Sequence, residues 1–365
     1  MELILDPGAD NYQNKFEILS PYLRRHGNSS MSYATLQDGL SYFLVEDIGY
    51  ISFVYVKHFV FARRGMHIIF GNPVCDKNNY KLMIELFLSK CPHICFCPVD
   101  EECANTLRSM NFKANCVGYD PILPIQSYKT EGNWKELENI RRARNEIAKN
   151  NIVVKELAEF NQWQIQCMKQ LSEMWLRKKI INDREIWIFA RHPVFSYEQD
   201  VRKFLAFDQA EKIIGFAFYD PIYTDGKVIG YAANMVRTDE VRFSKLTVGI
   251  HMAAIDIFKK EGMKEFNLCL APFDEIEKGK YNDDRLSKIM FNFSRKYGDG
   301  VYNFKGLSFA KRKYNADKKY LYFLSNGIFP SNDIYLTYLA ANISKGYFSM
   351  LGKLIFGFFK IKFRH

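Results

Sequence analysis

Asn234 and Arg237 stand near the end of one apolar run, VIGYAANMVR, and Asn267 stands within another, FNLCLAP. A basic stretch, FAKRKY, adds Lys311 and Lys313, and Lys305 precedes them. Amides and cations of this kind offer hydrogen-bond donors to a developing oxyanion and charge to a phosphate. Asp274 and Glu275 follow the second apolar run, and a carboxylate there is a candidate to take a proton. Arg141, Arg142 and Arg144, in NIRRARNEIAKNN, are further candidates for phosphate contact. Each has a plainer reading. Arg237 can pair with Asp239 or Glu240, the Lys311–Lys313 stretch can be a solvated turn, and the arginine run can be an interdomain helix.

The elements that position these residues form a unit. VIGYAANMVR predicts a strand, SKLTVGIHMAAIDIFKKEG a crossover helix, and KEFNLCLAP a parallel strand. Such a unit opens its ligand crevice at the carboxyl ends of its strands. VYNFKGLSFAKRKY is expected as a basic glycine turn beside it. Upstream, YATLQDG, LSYFLVEDIG, YISFVYVK and MHIIFGNPV predict a β-meander. KNNYKLMIELFLSK and DEECANTLRSMN read as helices, HICFCPV and FKANCVGYDPIL as strands. This predicts one α/β domain over residues 1–126. A second, 127–330, starts with the arginine-rich helix and repeats the order of meander, helix and strand, which suggests a duplication. Residues 331–365 are expected as a tail. There Tyr347, Phe348, Leu351, Leu354, Ile355, Phe358 and Phe359 share a helical face and Lys353, Lys360, Lys362 and Arg364 supply charge, the pattern of an interfacial membrane helix.

Composition sets bounds. The 365 residues are 48% hydrophobic, enough for a large core, and carry a net charge of +10, which favours a polyanionic partner such as nucleic acid or an anionic membrane. Four of the cysteines, Cys91, Cys95, Cys97 and Cys103, cluster around His93. Cys95 and Cys97 lie two apart on a strand pattern, which points to core packing rather than a zinc knuckle. No metal or other cofactor is expected. Neither a signal peptide nor a membrane-spanning run is evident, so a cytoplasmic protein is expected.

Several motifs resemble one family in series. ENIRRARNEIAKNNI and SEMWLRKKIINDREIWIF resemble the arginine-rich helix and tryptophan segment of the catalytic domain of bacterial phosphatidylglycerol lysyl- and alanyltransferases. FNLCLAPFDEI is similar to that family's N-L-G-M-A-P-L strand end, and YNFKGLSFAKRKYNADKKYLYF to its Y-x-F-x-G-L-R-x-F-K-x-K-F run. FGNPV is similar to its G-D-P-V. The resemblance spans roughly Gly71 to Phe323. It implies two tandem acetyltransferase-like (GNAT) domains and transfer of an aminoacyl group from aminoacyl-tRNA to a hydroxyl of a membrane lipid. Arg237 matches the arginine of the family's D-L-M-R, Lys311 and Lys313 its two lysines, and Asn267 a polar residue of its strand. These imply catalytic roles for Arg237, Asn234, Asn267 and Lys311. They imply substrate contacts for Lys313, Lys305, Asp274 and the three arginines. The expected place is the inner membrane face, held by the tail.

The departures matter. Asn234 stands where the family has an acid, Phe243, Ser244 and Lys245 where it has P-N-G, and Ser308 where it has the arginine of G-L-R. RTDEVRFSKLTVG also lacks the glycine pattern that cradles a coenzyme A pyrophosphate. Two alternatives therefore stand: a carrier- or coenzyme A-dependent N-acyltransferase, and a non-catalytic lipid- or RNA-binding protein on the same fold.

Overall fold

A computed structural model describes residues 2–132, 135–177, 187, 189–298 and 303–341. The strands are β1 (Glu2–Leu5), β2 (Ser41–Val45), β3 (Gly49–His58), β4 (Ala62–Ile69), β5 (Val74–Cys75), β6 (Ile94–Val99), β7 (Lys113–Pro124), β8 (Val153–Glu156), β9 (Arg202–Phe207), β10 (Ile213–Thr224), β11 (Lys227–Thr238), β12 (Glu265–Asn267), β13 (Ala271–Pro272) and β14 (Asp317–Ser325). The helices are α1 (Lys15–His26), α2 (Tyr80–Lys90), α3 (Glu101–Ser109), α4 (Glu138–Lys149), α5 (Gln162–Arg177), α6 (Leu246–Lys260), α7 (Arg285–Tyr297), α8 (Phe304–Arg312) and α9 (Pro330–Ala340). The α/β expectation holds.

One continuous sheet runs in the order β1-β2-β3-β4-β6-β14-β7-β12-β11-β10-β9-β8. Each half has an antiparallel meander, a helix, and a strand parallel to the last of the meander: β2-β3-β4-α2-β6 and β9-β10-β11-α6-β12. The closing strands are exchanged. β7, from the first half, pairs with β12 of the second, and β14, from the second, pairs with β6 of the first. β7 and β14 meet at the seam over nine residue pairs. The boundary at residue 126 is thus not a packing boundary, because Leu321–Leu324 and Ile334–Leu336 pack into the core of the first half.

The central strands carry continuous apolar runs because both faces are covered. β6 is buried throughout, and so is β10 except at Thr224. α6 lies between the sheet and α4, with Leu246, Ile250, Ile255 and Phe258 buried. Burying each such side chain contributes roughly 1.5–3 kcal/mol. Gly249 allows the approach of α4, since a Cβ there would meet Ile147 side-chain atoms at 2.7 and 2.8 Å.

Four local expectations change. Tyr33–Leu36, expected as strand, is a 3-10 turn, because Ser29, Ser32 and Thr35 hydrogen-bond within it and compete with a ladder. The expected basic glycine turn is helix α8. Asn303 caps it by accepting from Gly306 N at 2.8 Å, and a Cβ on Gly306 would collide with that capping amide. β12 is only three residues long, because Cys269 at φ 58° and Phe273 at φ 58° turn the chain out of the ladder. Residues 331–340, expected as the start of the tail, belong to α9, which docks on the core with Ile334 and Leu336 almost fully buried. The rest of the expected amphipathic helix, 342–365, lies outside the described residues.

Candidate active site

β11 and β12 part company after the pair Ala232–Asn267. β11 continues to Thr238, whereas the other chain swings away through Cys269. The left-handed backbone of Cys269 costs about 1–2 kcal/mol for a residue with a Cβ. It is held by Asn267, whose Oδ1 accepts from Cys269 N at 2.7 Å. The two parallel strands are thus splayed at their carboxyl ends, and the gap between them is the candidate crevice.

Two aspartates flank it, each held by an asparagine. Asn267 Nδ2 donates to Asp120 Oδ2 at 3.0 Å, and Ser30 Oγ donates to the same oxygen at 2.5 Å. Asn234 Nδ2 donates to Asp220 Oδ2 at 2.7 Å. Both aspartates are buried, and burial pushes both carboxyls above the usual range. Asp220 also receives the guanidinium of Arg191, at 2.5 to 3.0 Å, and Arg191 reaches Glu198. Asn234, at the acid position of the resembled motif, therefore lies against a carboxylate from the neighbouring strand.

Lys311 reaches the crevice from α8. Its stem is half-exposed, but its ammonium is enclosed, donating to Cys269 O at 2.9 Å and Leu270 O at 2.8 Å. Burial lowers its pKa, while Cys269 and Asp120 act to raise it. Cys269 senses Lys311, Asp120 and Asp220 together, and burial pushes its thiol up. Behind Lys311, His251 shares a 2.9 Å hydrogen bond through Nδ1 with the Tyr219 hydroxyl. Burial, then the Lys311 charge, hold this imidazole down to about 3, so it is neutral.

The other expected residues are spread more widely. Arg237 pairs in register with Phe216 and stacks on Trp175 at 3.8 Å, on the face covered by α5. Lys311 approaches from the α6 side, so the two do not share a face. Arg144 grips Asp256 of α6 at 2.9 and 3.1 Å, tying α4 down. Arg141 donates to Gly132 O, and Arg142 pairs with Glu138 at 2.5 Å. Arg142 nevertheless lies near Lys245: after burial, the charges of Lys313 and Arg142 lower the pKa of Lys245. Lys313 also covers the Phe309 ring.

Asp274 is fully buried beneath a groove between α7 and α8. Its oxygens hold Arg295 at 2.9 Å and Arg312 at 3.1 Å, and Tyr119 donates to it at 3.1 Å. Glu275 is engaged by Lys318 and Lys278, and these lysines hold its carboxyl, against burial, down at about 2. Glu275 is thus poorly suited to take a proton, and Asp274 is taken up by two arginines. The groove is lined by Arg295, Lys296, Lys305, Phe309 and Arg312. Leu286, Ile289, Phe293 and Phe309 are exposed on the same two helices, and Lys305 Nζ donates to Lys296 O. The cysteines around His93 are core residues, all buried.

Asp120 and Asp220 were missed by motif reading, although a signal existed. Tyr-Asp-Pro-Ile occurs twice, at 119–122 and 219–222. An aspartate inside a strand-like apolar run needs a buried partner.

The family described as "Phosphatidylglycerol lysyltransferase, C-terminal" matches residues 20–325. An uncharacterised protein of Corynebacterium glutamicum is 22% identical over 305 residues, covering 81% of this chain and 37% of that protein. The chain thus spans little more than a third of the length of this curated relative. L-PGS from Bacillus licheniformis shares the fold with a TM-score of 0.72 at 16% identity, over 93% of this chain and 97% of that one. The C-terminal domain of a putative lysylphosphatidylglycerol synthetase from Agrobacterium fabrum gives 0.70 at 15%, over 92% and 99%.

Proposed function

The chain belongs to the phosphatidylglycerol lysyltransferase C-terminal family, and from that premise we propose that it moves an aminoacyl group from aminoacyl-tRNA to the hydroxyl of a phosphatidylglycerol-like lipid. We read its two halves as a pair of acetyltransferase-type units. The observation that supports the reading most is the crevice between β11 and β12 with the Lys311 ammonium enclosed at its edge.

The lipid oxygen attacks the ester carbonyl, and a tetrahedral oxyanion forms. The bond to the ribose oxygen then breaks, and that oxygen takes up the proton that the lipid hydroxyl gives up. An ester replaces an ester, so little driving force is needed and placement dominates. Lys311 has three N–H donors, of which two are committed to carbonyls. In this reading the third donates to the oxyanion, and Asn267 fixes the wall that carries those carbonyls. Positioning of the two substrates is assigned to different surfaces. The corner of Arg142, Lys245 and Lys313 suits tRNA phosphates. The α7–α8 groove, with cations among exposed apolar side chains, suits an anionic lipid surface. Among the described residues no helix is long and apolar enough to cross a membrane, and the proposed location is peripheral, at the inner membrane face.

Lys311→Met tests the chemistry. Transfer of labelled aminoacyl groups from tRNA to phosphatidylglycerol vesicles is expected to fall 10²–10³-fold in turnover, the usual effect of losing an oxyanion donor, with tRNA binding unchanged. Wild-type protein that makes no aminoacylated lipid would refute the proposal. Asn234, where the resembled motif has an acid, favours a second reading as a non-catalytic lipid or RNA binder. Activity that survives RNase would instead indicate a thioester donor.

A further inference from the structure

Large apolar side chains are exposed at one end of the sheet. β3 and β4 are joined by residues 59–61, and at this tip Phe59 is 80% and Val60 52% exposed. β6 begins opposite His67, so Ala62–Met66 and the tip extend past it. β14 leaves the sheet at the same end. It runs antiparallel to β6, and β6 runs parallel to β4, so β14 ends where β4 enters the sheet: Asn326 N donates to Ile94 O, and Ile94 pairs with His67. In the turn that follows, Ile328 is 82% and Phe329 64% exposed. Tyr335 of α9 ties the next helix to the hairpin, its ring meeting His58 and Phe61 edge-on at 5.8 and 5.5 Å.

Exposure alone names no partner, but the build of the tip does. His58 Nδ1 accepts from both Val60 N and Phe61 N at 3.2 Å, and Arg63 Nε donates to Phe59 O at 3.0 Å. The His58 ring stacks on Phe59 and Phe61 at 4.8 and 5.1 Å. Backbone groups that would otherwise need water are thus satisfied by the hairpin's own side chains, as entry into an apolar medium requires. The rings are ordered before any partner arrives, so little side-chain entropy is lost on binding.

Charge selects the partner. Lys57, Arg63 and Arg64 flank the tip and are exposed, and residues 55–65 and 326–332 hold no acidic residue. Such a surface attracts an anionic partner. It repels the chain's own residues 342–365, which carry cations and no acid, and a second copy of the same tip. A tip that extends past the sheet, instead of lining a groove, fits a surface that yields to it. We propose that the hairpin tip and the β14–α9 turn form a bilayer-contact surface: Phe59, Val60, Ile328 and Phe329 enter the interfacial layer of an anionic membrane, and Lys57, Arg63 and Arg64 meet its headgroup phosphates. This surface is separate from the α7–α8 groove. α9 lies between them, with Tyr335 against the hairpin and Tyr338 donating to Ser294 of α7 at 3.2 Å. Contacts on either side of α9 hold the protein at one tilt, where a single contact would leave it free to swivel. The surface needs no aminoacyl donor, so it stands or falls apart from the transfer reaction.

Cosedimentation of the full chain with vesicles of mixed phosphatidylglycerol and phosphatidylcholine tests this. Phe59→Ser and Ile328→Ser are each expected to lower the partition coefficient about tenfold, the effect of returning one buried apolar side chain to water. Both positions are exposed, so the melting temperature is expected to hold. The emission of Phe59→Trp, taken as the difference from wild type, is expected to shift to the blue on the same vesicles and to be quenched by lipids brominated on their acyl chains. If a serine variant melts early, this quenching decides. Undiminished binding by both serine variants, absence of quenching, or equal binding to pure phosphatidylcholine would overturn the proposal. A blue shift produced as readily by polyglutamate as by vesicles would also overturn it, and would assign the tip to an acidic protein.

Discussion

Lys311 and His251 show how burial changes what a residue can do. In the sequence Lys311 sits in a basic run, a candidate for catalysis with a solvated turn as the plainer reading. In the fold its ammonium is enclosed between Cys269 and Leu270 carbonyls, where burial lowers its pKa. His251 carries no motif and is buried on α6 as a neutral ring held down to about 3. The unfolded chain takes up a proton there below about 6.5, and the folded chain does not. Stability from this residue is full above that value and is lost as pH falls, by about 1.4 kcal/mol per pH unit until pH 3 is approached. Between pH 7 and pH 5 the wild type is expected to lose about 2 kcal/mol more than His251→Gln, whose carbonyl still accepts from Tyr219. Urea unfolding at a series of pH values checks this, and parallel slopes would contradict a buried neutral imidazole. At the same scale, removing the Asp220 carboxylate leaves Arg191 buried without its bidentate partner. Asp220→Ala is expected to cost about 3–5 kcal/mol, read from the urea midpoint; a loss below 1 kcal/mol would mean that Glu198 suffices.

At the scale of elements, caps and turns decide where side chains go. Asn303 and Gly306 convert an expected turn into helix α8, which swings Lys311 inward and leaves Lys305, Phe309 and Arg312 along the outer groove. Asp284 accepts from Ser287 N at 2.7 Å and starts α7, whose apolar side chains Leu286, Ile289 and Phe293 are exposed. Asp274 lies beneath both helices and fixes one arginine from each. A surface of cations around exposed apolar side chains is expected to bind anionic vesicles, and less so as salt rises. The pair Lys305→Glu and Phe309→Ser is expected to lower binding to phosphatidylglycerol vesicles at least tenfold with little change in melting temperature. Cosedimentation measures it. Undiminished binding by the double variant would move the membrane contact elsewhere.

At the scale of the whole molecule, the exchanged strands make the halves interdependent. β6 has β14 as a neighbour and β7 has β14 and β12, all from beyond residue 260. A fragment of residues 1–126 would expose these edges together with the core that Leu321–Leu324 and Ile334–Leu336 complete. It is expected to be insoluble or unfolded when expressed alone, whereas residues 1–341 keep every described partner. Circular dichroism and thermal melts of the two chains decide it. A cooperatively folding 1–126 fragment would show that the exchange is dispensable.

The sequence by itself determined the elements and their class. Periodicity marked α2, α3, α4, α6 and most strands, and the order of meander, helix and strand in each half was legible because those patterns are local. It also determined the motifs around Asn267 and Lys311 that pointed to the family. What it left open depends on distances between residues remote in the chain. Asp120, Asn267 and Lys319 come from three strands that meet only because the closing strands cross the seam. Arg237 lies three residues from Asn234, yet its side chain stacks on Trp175 while Asn234 meets Asp220. Spacing along the chain could not reveal this, because a register shift interrupts the β10–β11 ladder between Asp220 and Phe218. Charge gave the sign of the surface, but only burial distinguished the cations that hold the fold from those left facing a crevice or a groove.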